Sequence, residues 1–96
     1  MKEKHLWTVY ILRGSDTSLY TGITTDLDRR LHEHNHSNKG AKSLRGKRPV
    51  KLAWFTTQED RSQATKLEIH IKSLSKKAKE SLVNGLSSLK KLGLQP

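Results

Sequence analysis

Two short alternating segments, Leu-Trp-Thr-Val-Tyr-Ile-Leu at 6–12 and Leu-Tyr-Thr-Gly-Ile-Thr at 19–24, constrain the fold of this chain more than any other feature. Each is rich in β-branched and aromatic residues and too short for an independent helix, so each reads as a strand. The intervening Arg-Gly-Ser-Asp-Thr-Ser supplies glycine, serine and aspartate for a reversal, which makes the pair a β-hairpin. Alternation then assigns faces. Trp7, Val9 and Ile11 share one side of the first strand, and Leu19, Thr21 and Ile23 one side of the second. With those sides turned inward together, Tyr10 and Tyr20 project from the opposite side as a pair, Tyr20 on the same face as Gly22. Taken singly, strand tyrosines are ordinary packing residues with a wet hydroxyl, and a strand glycine marks a bulge or a close approach.

The rest of the chain adds helices and one more strand. Thr25 followed by Asp28 resembles a capping box, and Leu27 and Leu31 form an apolar i, i+4 pair, so a helix is expected from about 25 to 35. Residues 35–49 have no usable period, two glycines and five Lys or Arg residues, and read as a basic loop. Val-Lys-Leu-Ala-Trp-Phe-Thr at 50–56 alternates as a third strand, with Trp54 as a core residue, and Thr57 with Asp60 offers a second capping signal. Ala64, Leu67, Ile71 and Leu74 recur at helical spacing, which predicts a helix over 59–73. Ser75 can cap a third helix containing Ala78 and Leu82, with Gly85 as its stop. The expected fold is α+β, a small three-stranded antiparallel-type sheet flanked by helices in the order β-β-α-β-α-α. A chain of 96 residues has material for one core. Residues 1–85 are expected to form that domain and 86–96 a short tail.

Charge narrows the partners. Lys and Arg number 19 against 9 Asp and Glu, a formal charge of +10, which points to a polyanion, nucleic acid above all, rather than a membrane. The absence of cysteine excludes disulfides, thiol nucleophiles and cysteine zinc sites. The N-terminal stretch is basic, but its apolar run is short and interrupted and fits neither a signal peptide nor a membrane span, so a cytoplasmic address is expected.

Several residues do not fit a bland core. Arg30 follows Leu27 by three positions and adjoins Leu31, which sets it nearer the apolar stripe than Asp28 or Glu33; Arg29 beside it faces the other way. Glu68 lies between Ala64 and Ile71 on the apolar face of its helix, where a carboxylate is costly unless it is paired, with Lys72 or Arg30 for instance, or bound to a cation. His32, His34 and His36 alternate; the first and last share an i, i+4 face without a third ligand, and His34 suits a phosphate contact or a plain surface position. Lys39, Lys42, Arg45, Lys47 and Arg48 in the glycine-bearing loop can straddle a nucleic-acid backbone or serve solubility alone.

Taken together, Thr-Val-Tyr-Ile-Leu at 8–12, Leu-Tyr-Thr-Gly-Ile-Thr at 19–24, Asp-Leu-Asp-Arg-Arg-Leu-His-Glu-His at 26–34 and Ala-Thr-Lys-Leu-Glu-Ile-His-Ile-Lys at 64–72 resemble the GIY-YIG nuclease superfamily. The likeness is greatest to its small single-domain bacterial branch, the UPF0213-like proteins, where His-Asn, then Lys-Gly-Ala-Lys and Arg-Gly-Lys-Arg-Pro-Val-Lys-Leu are also typical. It covers residues 6 to about 83, and the order and spacing of the pieces carry it.

The resemblance implies a metal-dependent endonuclease that hydrolyses phosphodiester bonds in nucleic acid, DNA more than RNA, and one selective for structure rather than sequence. It implies Tyr10, Tyr20, Arg30, His34 and Glu68 as catalytic residues, Gly22 as the structural glycine of the second motif, and Glu68 as ligand of one Mg²⁺ or Mn²⁺. Arg29 and the five loop cations are the implied nucleic-acid contacts. Tyr10 is favoured for activating water and Tyr20 for orienting water or phosphate. The motifs depart from the family name, reading Thr8-Val9-Tyr10 and Tyr20-Thr21-Gly22, and Ile23 stands where some relatives carry a lysine. The competing expectation is a non-catalytic basic nucleic-acid-binding module, or an adaptor in DNA repair or RNA processing.

Overall fold

The structure is a computed structural model that describes residues 6–94. Its centre is β1 (Trp7–Arg13), flanked by β2 (Leu19–Thr24) and β3 (Lys51–Gln58) in the sheet order β2-β1-β3. Both pairings are antiparallel, with Tyr10 opposite Gly22 on one side and Phe55 on the other. The hairpin closes through Gly14 and Ser18, whose backbone groups bond at 2.8 Å, while Asp16 accepts from both the Ser18 amide and hydroxyl. Three helices follow the strands as expected: α1 (Leu27–His36), α2 (Arg61–Ser73) and α3 (Lys76–Val83).

Because β1 is central, both of its faces are covered. Val9 and Ile11 pack with Ala64, Leu67 and Ile71 of α2 and Leu82 of α3. Tyr10 and Leu12 form a second cluster with Leu44 and Val50, against which Tyr20, Leu27 and Leu31 also pack. The tyrosine side is therefore a core in its own right, not an open face.

Caps and loop differ from the expectations in particular ways. Asp26 caps α1 by accepting from the Arg29 amide, and Asp60 caps α2 by accepting from the Gln63 amide, one and three residues beyond the threonines that the capping-box pattern favoured. A carboxylate is an equal or better acceptor at a helix N-terminus, where the dipole adds to the hydrogen bond. Ser75 caps α3 through the Ala78 amide, and Gly85 follows its end with φ of +75°, a conformation suited to glycine. The basic loop contains a 3-10 helix, Lys42–Lys47, whose Leu44 is buried; a single apolar residue has no period, so the sequence pattern is silent about it. Past α3 the chain turns back and buries Leu89 in the α2 and α3 core. Arg13 at the end of β1 clasps Glu80 of α3 with two bonds of 2.7 and 3.0 Å.

Ile11 is fully enclosed, whereas its strand partner's neighbour Phe55 is 54% exposed on the edge strand. Ile11→Ala is expected to cost about 2–5 kcal/mol and Phe55→Ala no more than about 0.5 kcal/mol in urea unfolding at neutral pH.

Candidate active site

The β1–β2 hairpin and α1 meet at the second core, while α2 packs with the first. Strand alternation places Tyr10 and Tyr20 on the same face, two positions apart across the hairpin register, with ring centroids 6.5 Å apart. Gly22 sits opposite Tyr10, and the Tyr10 ring lies across it: a Cβ at position 22 would come within 2.5 Å of the Tyr10 hydroxyl. Glycine is required there by that close approach. The sheet thus admits the phenol only because the neighbouring strand leaves room for it.

The α1 helix supplies the second wall. His34 is fully buried and its ring stands edge-on to Tyr20 at 5.5 Å, while its Nε2 and the Tyr10 hydroxyl are hydrogen-bonded at 2.9 Å. Arg30, one turn earlier, is half-buried and pairs with Glu33 at 3.0 Å and with the Lys39 carbonyl at 2.9 Å. The α2 helix contributes Glu68 at the flank of its buried stripe, 19% exposed, with Lys72 one turn on at 3.3 Å.

Electrostatics tie these groups together. Burial, with some help from Tyr20, pushes the Tyr10 phenol up to about 12, although the Arg30 guanidinium acts on the same hydroxyl in the opposite sense and Glu68 in the same sense. One hydroxyl therefore responds to both the arginine and the glutamate. Burial likewise pushes His34 down to about 4, reinforced by Arg30 and Arg48 and opposed by Glu33, so the imidazole is neutral at physiological pH.

The residues expected from the sequence divide on inspection. Tyr10, Tyr20, Arg30 and His34 stand around one hydroxyl, and Glu68 is close enough to act on it. Arg29, Lys39, Lys42 and Arg45 are exposed, Arg45 also donating to the Asn38 carbonyl at 2.9 Å. Lys47 lies 3.8 Å from Asp16. Arg48 is half-buried, and its guanidinium donates to the carbonyls of His34 at 2.6 Å and Ser37 at 2.5 Å, pinning the C-terminal turn of α1. Orphan carbonyls at a helix end are a natural target for an arginine, and base-rate arguments about loop cations do not see them. His32 and His36 stack at 4.7 Å on the exposed side of α1.

Two supporting residues escaped the sequence reading. Asn35 exchanges two bonds with the Val50 backbone, at 2.7 and 3.0 Å, and so latches the start of β3 to α1. Gly40 presses against the α1 backbone, where a Cβ would meet the Glu33 carbonyl oxygen at 2.6 Å, and the next amide, that of Ala41, donates to His34 Nδ1 at 3.1 Å. The only signal for either was the His-Asn and Lys-Gly-Ala-Lys pattern itself, which has no period.

For a metal ion the donor set is sparse. Among the described residues no three His, Asp or Glu side chains cluster as a ready cage. A single carboxylate suits Mg²⁺, which keeps several waters and completes its shell with substrate phosphate oxygens, and does not suit structural zinc.

The three-stranded antiparallel sheet with its helices is a GIY-YIG-like fold, and the chain belongs to the GIY-YIG catalytic domain family, whose sequence model matches residues 6–81. Among its relatives are UPF0213 proteins. That of Desulfotalea psychrophila is 49% identical over 81 residues, 84% of this chain and 74% of the relative. One from Vibrio cholerae is 47% identical over 87 residues, covering 90% and 85% respectively. The solution NMR structure of the UPF0213 protein BH0048 from Bacillus halodurans is similar in fold, with a TM-score of 0.55 at 39% identity, covering 92% of this chain and 93% of that one. Among the described residues no helix is long and apolar enough to cross a membrane.

Buried neutral histidine makes stability depend on pH. His34 is neutral in the folded chain and charges near 6.5 once unfolded, so its contribution is complete above about 6.5 and is lost as pH falls toward about 4. Between pH 7 and pH 5 the unfolding free energy in urea is expected to fall by about 2 kcal/mol, and His34→Gln to flatten that decline.

Proposed function

We propose that this protein is a metal-dependent endonuclease that cuts phosphodiester bonds, with DNA as the preferred substrate and strand structure rather than base sequence as its cue. The observation that carries this is the gathering of Tyr20, His34 and Arg30 about the Tyr10 hydroxyl, whose ionisation the charge of Glu68 also influences, in residue types suited to phosphoryl chemistry. Binding alone would not need a carboxylate whose charge acts on the same phenol as an arginine's in a protein of charge +10.

The roles follow from burial and charge. Arg30 offers a planar guanidinium for two bonds to a phosphate and offsets the charge that develops as the bond breaks. Glu68 would hold one divalent ion, Mg²⁺ or Mn²⁺, which when bound polarises the scissile phosphate and eases departure of the leaving oxygen. The two tyrosines exchange the parts that the family resemblance favoured. Tyr10, 1% exposed and with its phenol held up near 12, is poorly suited to take a proton at neutral pH and serves as a hydrogen-bond donor toward phosphate. Tyr20, half-buried at the mouth of the site, orients the attacking water.

Positive charge reaches the substrate beyond the site. Lys39 and Lys42 are exposed at either end of the segment that follows α1, with Arg29 on α1 itself, and such contacts attract a phosphate backbone without reading its bases. This favours recognition of nicks, branches or single strands by shape.

The test uses end-labelled single-stranded, duplex, nicked and branched DNA, together with RNA, in Mg²⁺ or Mn²⁺ and in EDTA. Cleavage is expected to vanish in EDTA and to fall at least about a hundredfold in Glu68→Ala and in Arg30→Ala, with binding retained. Tyr20→Phe is expected to lose more of the rate than Tyr10→Phe. Lys42→Ala should instead weaken binding evenly across substrates and lower its salt dependence. A wild-type protein that binds every substrate and cuts none would place it among non-catalytic nucleic-acid-binding modules.

A further inference from the structure

The proposed chemistry gives no part to Gly40 and Ala41 between Lys39 and Lys42, yet this pair touches His34, the one histidine among the described residues that is fully buried. A backbone N–H can only donate. The Ala41 amide aimed at His34 Nδ1 over 3.1 Å therefore makes Nδ1 an acceptor without a proton. In a neutral imidazole the remaining hydrogen then resides on Nε2, and the 2.9 Å bond to Tyr10 runs in one direction, from Nε2–H to the phenol oxygen.

The Ala41 amide gets there because of its neighbour. Gly40 lies so close to α1 that a Cβ would meet His34 Cα at 2.7 Å as well as the Glu33 carbonyl oxygen. No other residue type allows the segment to approach the helix backbone at this distance. Arg48, by binding the His34 and Ser37 carbonyls, holds the same turn of α1 from its other end.

We propose that Gly40 and Ala41 are a tautomer lock: they keep His34 as the Nε2–H form, so that His34 donates to Tyr10 and the hydrogen of the Tyr10 hydroxyl is left to point into the active site. In the opposite tautomer Nε2 would accept, the Tyr10 hydroxyl would donate to it, and the site would lose that donor. Gly40 and Ala41 are positioning residues, acting through His34 and Tyr10. His34 accordingly is not a base toward Tyr10 in this arrangement. The groups that face the imidazole are Tyr10 from β1, Tyr20 from β2, Arg30 and Glu33 from its own helix, and Arg48 from the loop after the 3-10 helix, and the two arginines further disfavour a charged ring.

The lock itself is independent of the nuclease proposal; only its consequence for cleavage rests on that. Long-range ¹H–¹⁵N correlation spectra of the full chain decide the first part. His34 in the wild type is expected to show an unprotonated Nδ1 and a protonated Nε2, unchanged from neutral pH to about pH 5. An Nδ1–H form, or averaging of the two forms as in an exposed histidine, would overturn the lock. Gly40→Ala is expected to bring averaging and a His34 titration nearer 6.5, whereas Gly46→Ala, where a Cβ meets nothing within 4 Å, leaves the spectrum unchanged. The wild-type spectrum decides the matter even if Gly40→Ala does not fold.

Cleavage decides the second part. Gly40→Ala is expected to lower the rate roughly 10- to 100-fold in the wild-type background and to change it little in a Tyr10→Phe background, where no hydroxyl remains to be oriented. Equal losses in both backgrounds would show that Gly40 acts only on packing. A wild type with the expected His34 spectrum and no cleavage of any substrate would sink the nuclease proposal and leave the lock standing.

Discussion

The hydrogen bond between Tyr10 on the central strand and His34 on α1 is made with both side chains removed from water. Burying a phenol and an imidazole without partners would cost several kcal/mol, about 1–3 for each group left unsatisfied. Their bond pairs the phenol oxygen with the imidazole Nε2, and the Ala41 amide satisfies the other ring nitrogen, Nδ1. The arrangement asks for Gly22 beneath the phenol and Gly40 behind the helix, since a methyl group at either place would overlap its neighbour. Much of what surrounds the second core, from the Asn35 latch to the Arg48 clasp, keeps α1 at the distance this bond needs.

The same burial that stabilises the neutral pair arranges charge around it. Arg30 and Glu68 stand on different helices, and their charges pull the ionisation of Tyr10 in opposite directions. On the proposed reading, a polyanion entering the site would meet a fixed cation, a carboxylate that would hold a divalent ion, and two phenols. Preorganised dipoles and charges of this kind act without reorganising when the bond breaks, which is the main way a small domain can stabilise a phosphoryl transition state. The excess of Lys and Arg supplies long-range attraction for a polyanion that does not depend on its sequence.

Sequence pattern carried a good deal of this. Alternation in 6–12 and 19–24 placed both tyrosines on one face, and helical spacing of Ala64, Leu67 and Ile71 located the stripe beside which Glu68 stands. The strand and helix spans agree with the expected ones to within a few residues. Periodicity sees such features because one buried face repeats along the element. It did not see the 3-10 helix around Leu44, the use of Asp26 and Asp60 as caps in place of Thr25 and Thr57, or the bonding of Arg48 to the end of α1. Each of these is a single contact between segments distant in sequence or a choice between adjacent polar residues, and neither leaves a repeat.

By itself, the sequence determined a basic α+β domain with a hairpin carrying two tyrosines and a helix carrying an arginine, because local alternation and helical spacing are properties of neighbouring residues. Only the tertiary structure decided that the tyrosine face is enclosed rather than open, that the Tyr10 phenol is buried against His34, that Arg48 binds the helix end, and that the Ala41 amide meets His34 Nδ1. Those outcomes depend on which distant groups meet within 3 Å or so once water has been expelled, and protonation follows the partner each atom finds there.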